Sequence, residues 1–179
     1  MEGDELLQNL VDTYKPFIIP NYDNARDILF GTIYNESQTL KCVYTGHTVL
    51  LEEGADPTVS AYQNGSSDGI NTEHTFPRSK GAEFGNAVSD MHHLFPTRSI
   101  VNSSRAADRF NEIADNQTVD WFYLNNTLNT IPNSNIELYS EDINGEFEPR
   151  EDHKGNVARA MFYFYTMYKE EADLSLIHI

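Results

Sequence analysis

The chain is poor in several residue types, and each shortage excludes something. It holds one cysteine, Cys42, in 179 residues. A lone thiol cannot close an intramolecular disulfide, so cohesion must come from packing, and the compartment stays open. We expect Cys42 to be buried. Basic residues are scarce too, with 12 Lys and Arg against 28 Asp and Glu, a formal net charge of -16. That balance excludes a surface that coats polyanions indiscriminately and predicts an exterior that repels them. No apolar run approaches the ~20 residues of a membrane span, so no membrane partner is expected. The opening Met-Glu-Gly-Asp-Glu lacks the basic region and apolar run of a signal peptide, which implies either a cytosolic protein or a chain whose leader is missing.

What is present suits a folded α+β protein. Hydrophobic residues make up 39% and aromatic residues 12%, enough for one core, and the length suits a single domain over residues 1–173. Charge is unevenly spread: residues 73–109 hold five bases (Arg78, Lys80, Arg98, Arg105, Arg109) against four acids, net +1, leaving -17 elsewhere. Residues 24–33 open on an asparagine of capping type and predict a short helix. Residues 41–51, with β-branched and aromatic types around a glycine, predict a hairpin. A Gly/Ser-rich loop at 63–69 precedes strand candidates at about 70–76 and 90–95, then a helix from about 97 to 110. Residues 115–150 predict mainly surface connections with one or two short strands. Helical spacing returns at about 153–169, apolar on so much of its circumference that burial on most sides is expected.

Three short constellations carry chemistry. Helical spacing in the third segment lines up Arg98, Asn102, Arg105 and Arg109, placing an amide inside an arginine stripe. Arginine suits bidentate phosphate contact, and an amide oxygen is a hard neutral ligand for Mg²⁺ or Ca²⁺. A solvated helix face would look the same. Upstream, Glu73-His74 sets a carboxylate beside an imidazole whose ordinary pKa suits a general base. Between them, Asp90-Met91-His92-His93-Leu94 reads as a strand with Asp90 and His92 on one face, positioned to hold a site residue or supply a third ligand. His93 reads as a buried hydrogen-bonding histidine, and Arg159 as a buried ion-pair partner. Adjacent strand residues face opposite ways, so Glu73 and His74 can share a site only where the strand bends or ends.

Taken together, Gly-Ile-Asn-Thr-Glu-His-Thr-Phe-Pro-Arg-Ser-Lys-Gly, then Ser-Asp-Met-His-His-Leu-Phe-Pro-Thr-Arg, then Val-Asn-Ser-Ser-Arg, resemble the bacterial endonuclease I family. The likeness reaches Phe147-Glu148-Pro149-Arg150 and Lys154 to Ala160, and spans about Ala25 to Tyr168. The resemblance implies a ββα-metal (His-Me finger) core holding one divalent cation, Mg²⁺ first, with Ca²⁺ or Mn²⁺ as alternatives. It assigns His74 as general base and Glu73 and Asn102 as metal ligands. Arg78, Arg98 and Arg105 are the expected phosphate contacts, and Asp90 and His92 the supports behind the site. It implies a secreted nuclease, a monomer, that acts on DNA and RNA with little sequence specificity.

Two rivals remain open at this point: a nucleic-acid-binding module without chemistry, and a phosphoesterase acting on small substrates. The chain also reads as incomplete at its carboxyl end, because the resemblance stops after Tyr168. Residues 174–179 resemble a translated library adapter and are expected to make few packed contacts. Some of Phe162, Phe164, Tyr165 and Met167 should then lie exposed, leaving the isolated chain poorly soluble or marginally stable.

Overall fold

The computed structural model describes residues 2–176, with side chains through Asp173. Helix α1 (Gly3–Tyr14) buries none of its own residues and touches the rest through Val11. Helix α2 (Tyr22–Ile28) begins two residues before the expected 24–33 segment, because its cap is Asn21, whose side chain accepts the Asn24 N–H. It runs on into a single π turn, Leu29–Ile33, that buries Leu29 and Phe30. Strands β1 (Asn35–Glu36), β2 (Thr39–Lys41) and β3 (Thr48–Leu50) form an antiparallel sheet. The hairpin expected at 41–51 is there with three-residue strands, since Cys42 N–H already turns back onto the His47 carbonyl. Cys42 is fully buried. Helix α3 (Pro57–Tyr62) starts as its sequence dictates, with Pro57 in the first turn and the Asp56 carboxylate accepting from Val59 N–H at 2.9 Å.

At the centre lie β4 (Ile70–His74) and β5 (Leu94–Arg98), antiparallel with Glu73 opposite Phe95 and His74 opposite Leu94, followed directly by α4 (Ser99–Arg105). Two expectations are corrected here. The strand predicted from residue 90 begins only at Leu94, because Met91–His93 forms a 3-10 turn capped by the Asp90 carboxylate, which accepts from His92 N–H. Asp90 and His92 do meet, through a capped turn and not through strand alternation. The helix predicted to reach residue 110 stops at Arg105, where Ala106 takes φ 48° and reverses the chain. That backbone region is costly for a residue with a Cβ, and it breaks the arginine stripe.

Arg109 therefore belongs to β6 (Arg109–Phe110). With β7 (Asp120–Tyr123), β8 (Asn126–Leu128), β9 (Ser140–Ile143) and β10 (Glu146–Glu148) it makes a five-stranded sheet ordered β6-β10-β9-β7-β8. Four strands thus occupy a region expected to hold one or two. They are three or four residues long, and β9 buries Ser140, Glu141 and Asp142 in succession, polar residues on both of its faces that hydrophobic alternation cannot reveal. Trp121, the sole tryptophan, is fully buried on β7 with the Tyr139 ring edge-on at 6.2 Å.

Helix α5 (Glu151–Met167) opens with two acids, which suit the positive end of the helix dipole, and is followed by α6 (Lys169–Leu176). Its buried stripe is His153, Val157, Ala160, Phe164 and Met167, a helical repeat. Val157 joins the main core around Leu29, Phe30, Tyr44 and Phe147. Phe164 and Met167 join a second core with Phe76, Tyr168 and Ala172. Phe76 stacks on Phe164 at 3.9 Å, an arrangement worth about 0.5–1.5 kcal/mol beyond burial. The helix is not buried on most sides: Phe162 is 76% exposed and Tyr165 39%, while Phe164 and Met167 are covered. Arg159, expected to be buried, is exposed and donates to Asn156 Oδ1. The packing expected of residues 174–179 lies outside the described side chains. No helix among the described residues is long and apolar enough to cross a membrane.

Candidate active site

The period of two along β4 sets Asn71 and Glu73 on the face that α4 contacts, and one turn of α4 separates Asn102 from Arg105. The Asn102 amide nitrogen donates to Asn71 Oδ1 at 2.7 Å and to the Thr72 carbonyl at 3.1 Å. Arg105 donates to the His74 and Thr75 carbonyls at 3.0 and 2.9 Å and faces Glu73 Oε1 at 3.1 Å. The Tyr44 hydroxyl donates to that same Oε1 at 2.9 Å. Both contacts to Glu73 fall on one oxygen, leaving Oε2 for a ligand. On Asn102 the nitrogen is spent in the same way, leaving Oδ1.

Glu73 is 1% exposed. Burial raises its pKa, against the opposing pull of the Arg105 guanidinium and the Tyr44 hydroxyl. A buried carboxylate with one free oxygen beside a free amide oxygen is a donor set that fits a hard divalent cation completed by water. His74 is the last residue of β4, so the strand ends where the two neighbouring side chains must share a site. Its Nε2 lies 3.0 Å from the Val88 carbonyl. A carbonyl only accepts, so Nε2 carries the proton and Nδ1 keeps the lone pair. Burial first, and then the neighbouring His93 ring, lower the His74 pKa to about 3, so the ring is neutral at neutral pH. Glu73, His74 and Asn102 line one groove of about 400 Å³, together with Tyr22, Arg78 and Ala106.

The remaining expected residues separate. Arg78 is exposed on a 3-10 turn, Arg78–Lys80, at the groove wall, 5.8 Å from the Tyr22 ring. Arg98 is 5% exposed and turned away from the groove: it grips Asp68 at 2.6 and 2.9 Å and the Asn125 carbonyl at 3.0 Å. Arg105, 1% exposed, lies beneath Glu73. Both guanidiniums are engaged inward: Arg98 closes β5 ahead of the helix, and Arg105, the last residue of α4, folds back beneath β4. Asp90 and His92 also stand outside the groove. Asp90 accepts from the Tyr163 and Tyr168 hydroxyls at 2.8 and 2.7 Å through one oxygen and from the His92 ring at 2.8 Å through the other. Burial works to raise its pKa, but the His92 and tyrosine hydrogen bonds outweigh it and hold the carboxyl at about 2. This network pins the 3-10 turn to α5 and to Tyr168, which caps its end, just after the Val88 carbonyl that fixes His74.

Sequence reasoning missed Tyr22, Tyr44 and Val88. Tyr44 sits in a stretch readable only as hairpin, and Val88 acts through its backbone, which no side-chain pattern reports. A different acidic group, Glu112, Glu148 and Glu151, has carboxylates close enough to hold an ion. The Lys154 ammonium already fills that position, at 2.8, 2.6 and 2.5 Å from the three.

His93 is fully buried, with Nε2 2.7 Å from the Ala87 carbonyl, and burial lowers its pKa to about 4. A histidine with a depressed folded pKa contributes stability above its unfolded pKa near 6.5 and loses it as pH falls toward 4. Chemical denaturation at pH 7 and pH 5 should therefore show a steeper loss for the wild type than for His93→Gln, by up to about 1.4 kcal/mol per pH unit. Equal slopes would contradict a neutral buried His93.

A family model described as endonuclease I matches residues 7–176. The extracellular ribonuclease of Bacillus amyloliquefaciens is 33% identical over 126 residues, 69% of this chain. The match covers 37% of that ribonuclease, so the chain spans little more than a third of its relative's length. The matched family region takes in β4, β5 and α4 with the groove they build, and the chain belongs to the endonuclease I family.

Proposed function

We propose that this chain is a metal-dependent endonuclease that hydrolyses phosphodiester bonds of DNA or RNA with little sequence specificity. The observation that carries the reading is the fixed tautomer of His74: Nε2 is spent on the Val88 carbonyl, which leaves Nδ1 unprotonated on a ring lining the same groove as Glu73 and Asn102. The strand, strand, helix order of β4, β5 and α4 supports a ββα-metal core. His74 Nδ1 takes a proton from a water as its oxygen bonds to phosphorus, and the bond to the 3′ oxygen breaks with its electron pair staying on that oxygen. Val88 keeps the imidazole in the productive tautomer, while Arg78 holds a non-bridging phosphate oxygen. A divalent cation held by Glu73 Oε2 and Asn102 Oδ1, most simply Mg²⁺, would offset the charge gathering on the phosphate and leaving oxygen. The relative's name, extracellular ribonuclease, supports RNA as a substrate and secretion as the setting.

Digestion of plasmid DNA and total RNA with and without a chelator tests this directly. Cleavage of polymers that chelator abolishes is expected. Binding without cleavage would favour a non-catalytic module, and turnover of small phosphodiesters alone a phosphoesterase. Glu73→Ala and Asn102→Ala should weaken Mg²⁺ affinity, so part of their lost rate should return at high Mg²⁺. A loss that no Mg²⁺ concentration relieves would remove both from the ligand set.

A further inference from the structure

A second cleft, of about 510 Å³, shares Pro77 and Ala107 with the catalytic groove. Its walls are of another kind: Phe76, Phe110, Val157, Met161 and Tyr165 give it a largely apolar interior. Helix α5 lines it with Lys154, Ala158, Met161 and Tyr165, residues that repeat along one helical face.

The partition between groove and cleft carries cations. Immediately after the shared Pro77, the Arg78–Lys80 turn sets Arg78 on the groove and Lys80 on the cleft. In so acidic a chain most bases are neutralised: of the other cations lining the cleft, Arg105 pairs with Glu73, Arg109 with Glu146, and Lys154 with three glutamates. Among the described residues neither Arg78 nor Lys80 has a carboxylate partner. The turn is also held firmly, because Gly81, at φ 129°, packs so close to α6 that a Cβ there would come within 2.3 Å of the Glu171 carbonyl oxygen.

We propose that this cleft receives an unpaired nucleobase next to the scissile phosphate, with Lys80 holding the phosphate that joins them, so that single-stranded polynucleotide is the favoured substrate. The inference rests on the nuclease reading and deepens it. The occupant follows from the surroundings. A strand leaving the catalytic groove over the partition meets an unpaired cation and then ring-lined apolar walls, which suit a base with two flat apolar faces. A base inside a duplex has its faces covered by stacking and its edge by its partner, and cannot enter without being flipped out.

The test compares KM for one labelled oligonucleotide, single-stranded and annealed to its complement, in the wild type and three variants. Base stacking on aromatic side chains predicts a KM for the single strand lower by on the order of tenfold. Ala158→Trp fills the cleft from an exposed helical position, and Tyr165→Ser removes one ring wall. Each should raise the single-strand KM to the duplex value and erase the discrimination. Phe162→Ser, exposed on the same helix but outside the cleft, should keep it. Equal KM values for both forms in the wild type would overturn the proposal, as would discrimination that survives both cleft variants. So would cleft variants that lose activity on both forms alike. A wild type that cuts neither form refutes the nuclease reading itself, a result distinct from cutting both equally.

Discussion

His74→Ala should lower kcat by at least ~10²-fold, the lower end of what a positioned general base contributes. The reason lies in one backbone contact: Val88 holds Nε2, so only Nδ1 can accept a proton, and alanine offers nothing in its place. Because the base acts in the transition state and not in ground-state binding, affinity for Mg²⁺ and for nucleic acid should survive the change. Single-turnover rates beside calorimetric Mg²⁺ titration would show this pairing. Near wild-type cleavage by the variant would end the assignment. A parallel collapse of Mg²⁺ affinity would move His74 from base to ligand.

Arg105→Ala is expected to produce the largest loss of stability. The guanidinium is almost wholly enclosed, spans the His74 and Thr75 carbonyls, and offsets the charge of Glu73, itself enclosed. Removing one member of a buried pair leaves its partner uncompensated, at a cost of about 3–5 kcal/mol. Adding Glu73→Gln should recover part of that loss, since the stranded charge disappears with it. Denaturant unfolding of the single and double variants measures both effects. A single variant within about 1 kcal/mol of wild type would show that Arg105 does not stabilise the carboxylate.

Spacing alone put Arg105 on a solvent-facing stripe with Arg98 and Arg109. The stripe fails at both ends, since Arg98 is the last residue of β5 and Arg109 lies on β6, leaving only Arg105 on the helix. The left-handed turn at Ala106 ends that helix, and no residue type there announces it. Asn102, one turn earlier and still within α4, lines one groove with Glu73 and His74, since local periodicity holds over a single turn. The mixed α and β character was readable from the two kinds of periodicity, whereas of the four strands β7 to β10 only one or two were expected. Their strands are too short to show alternation, and burial of Glu141 and Asp142 reverses the polarity that alternation looks for. Tyr22 and Tyr44 reach the site from segments distant in the chain, a convergence that only the folded arrangement creates.

Trp121 has a consequence for watching this molecule work. With a single indole in the chain, walled into the five-stranded sheet and not lining the catalytic groove, ultraviolet emission above the tyrosine band has one origin. That light is an optical label for the sheet, supplied without chemistry. Its wavelength follows whether water reaches β7, while a cation or an oligonucleotide in the groove meets a wall to which the emitter does not belong. Folding and ligand arrival are therefore separable by colour: the indole reports the first, and the second needs a dye, because ten tyrosines share the remaining emission.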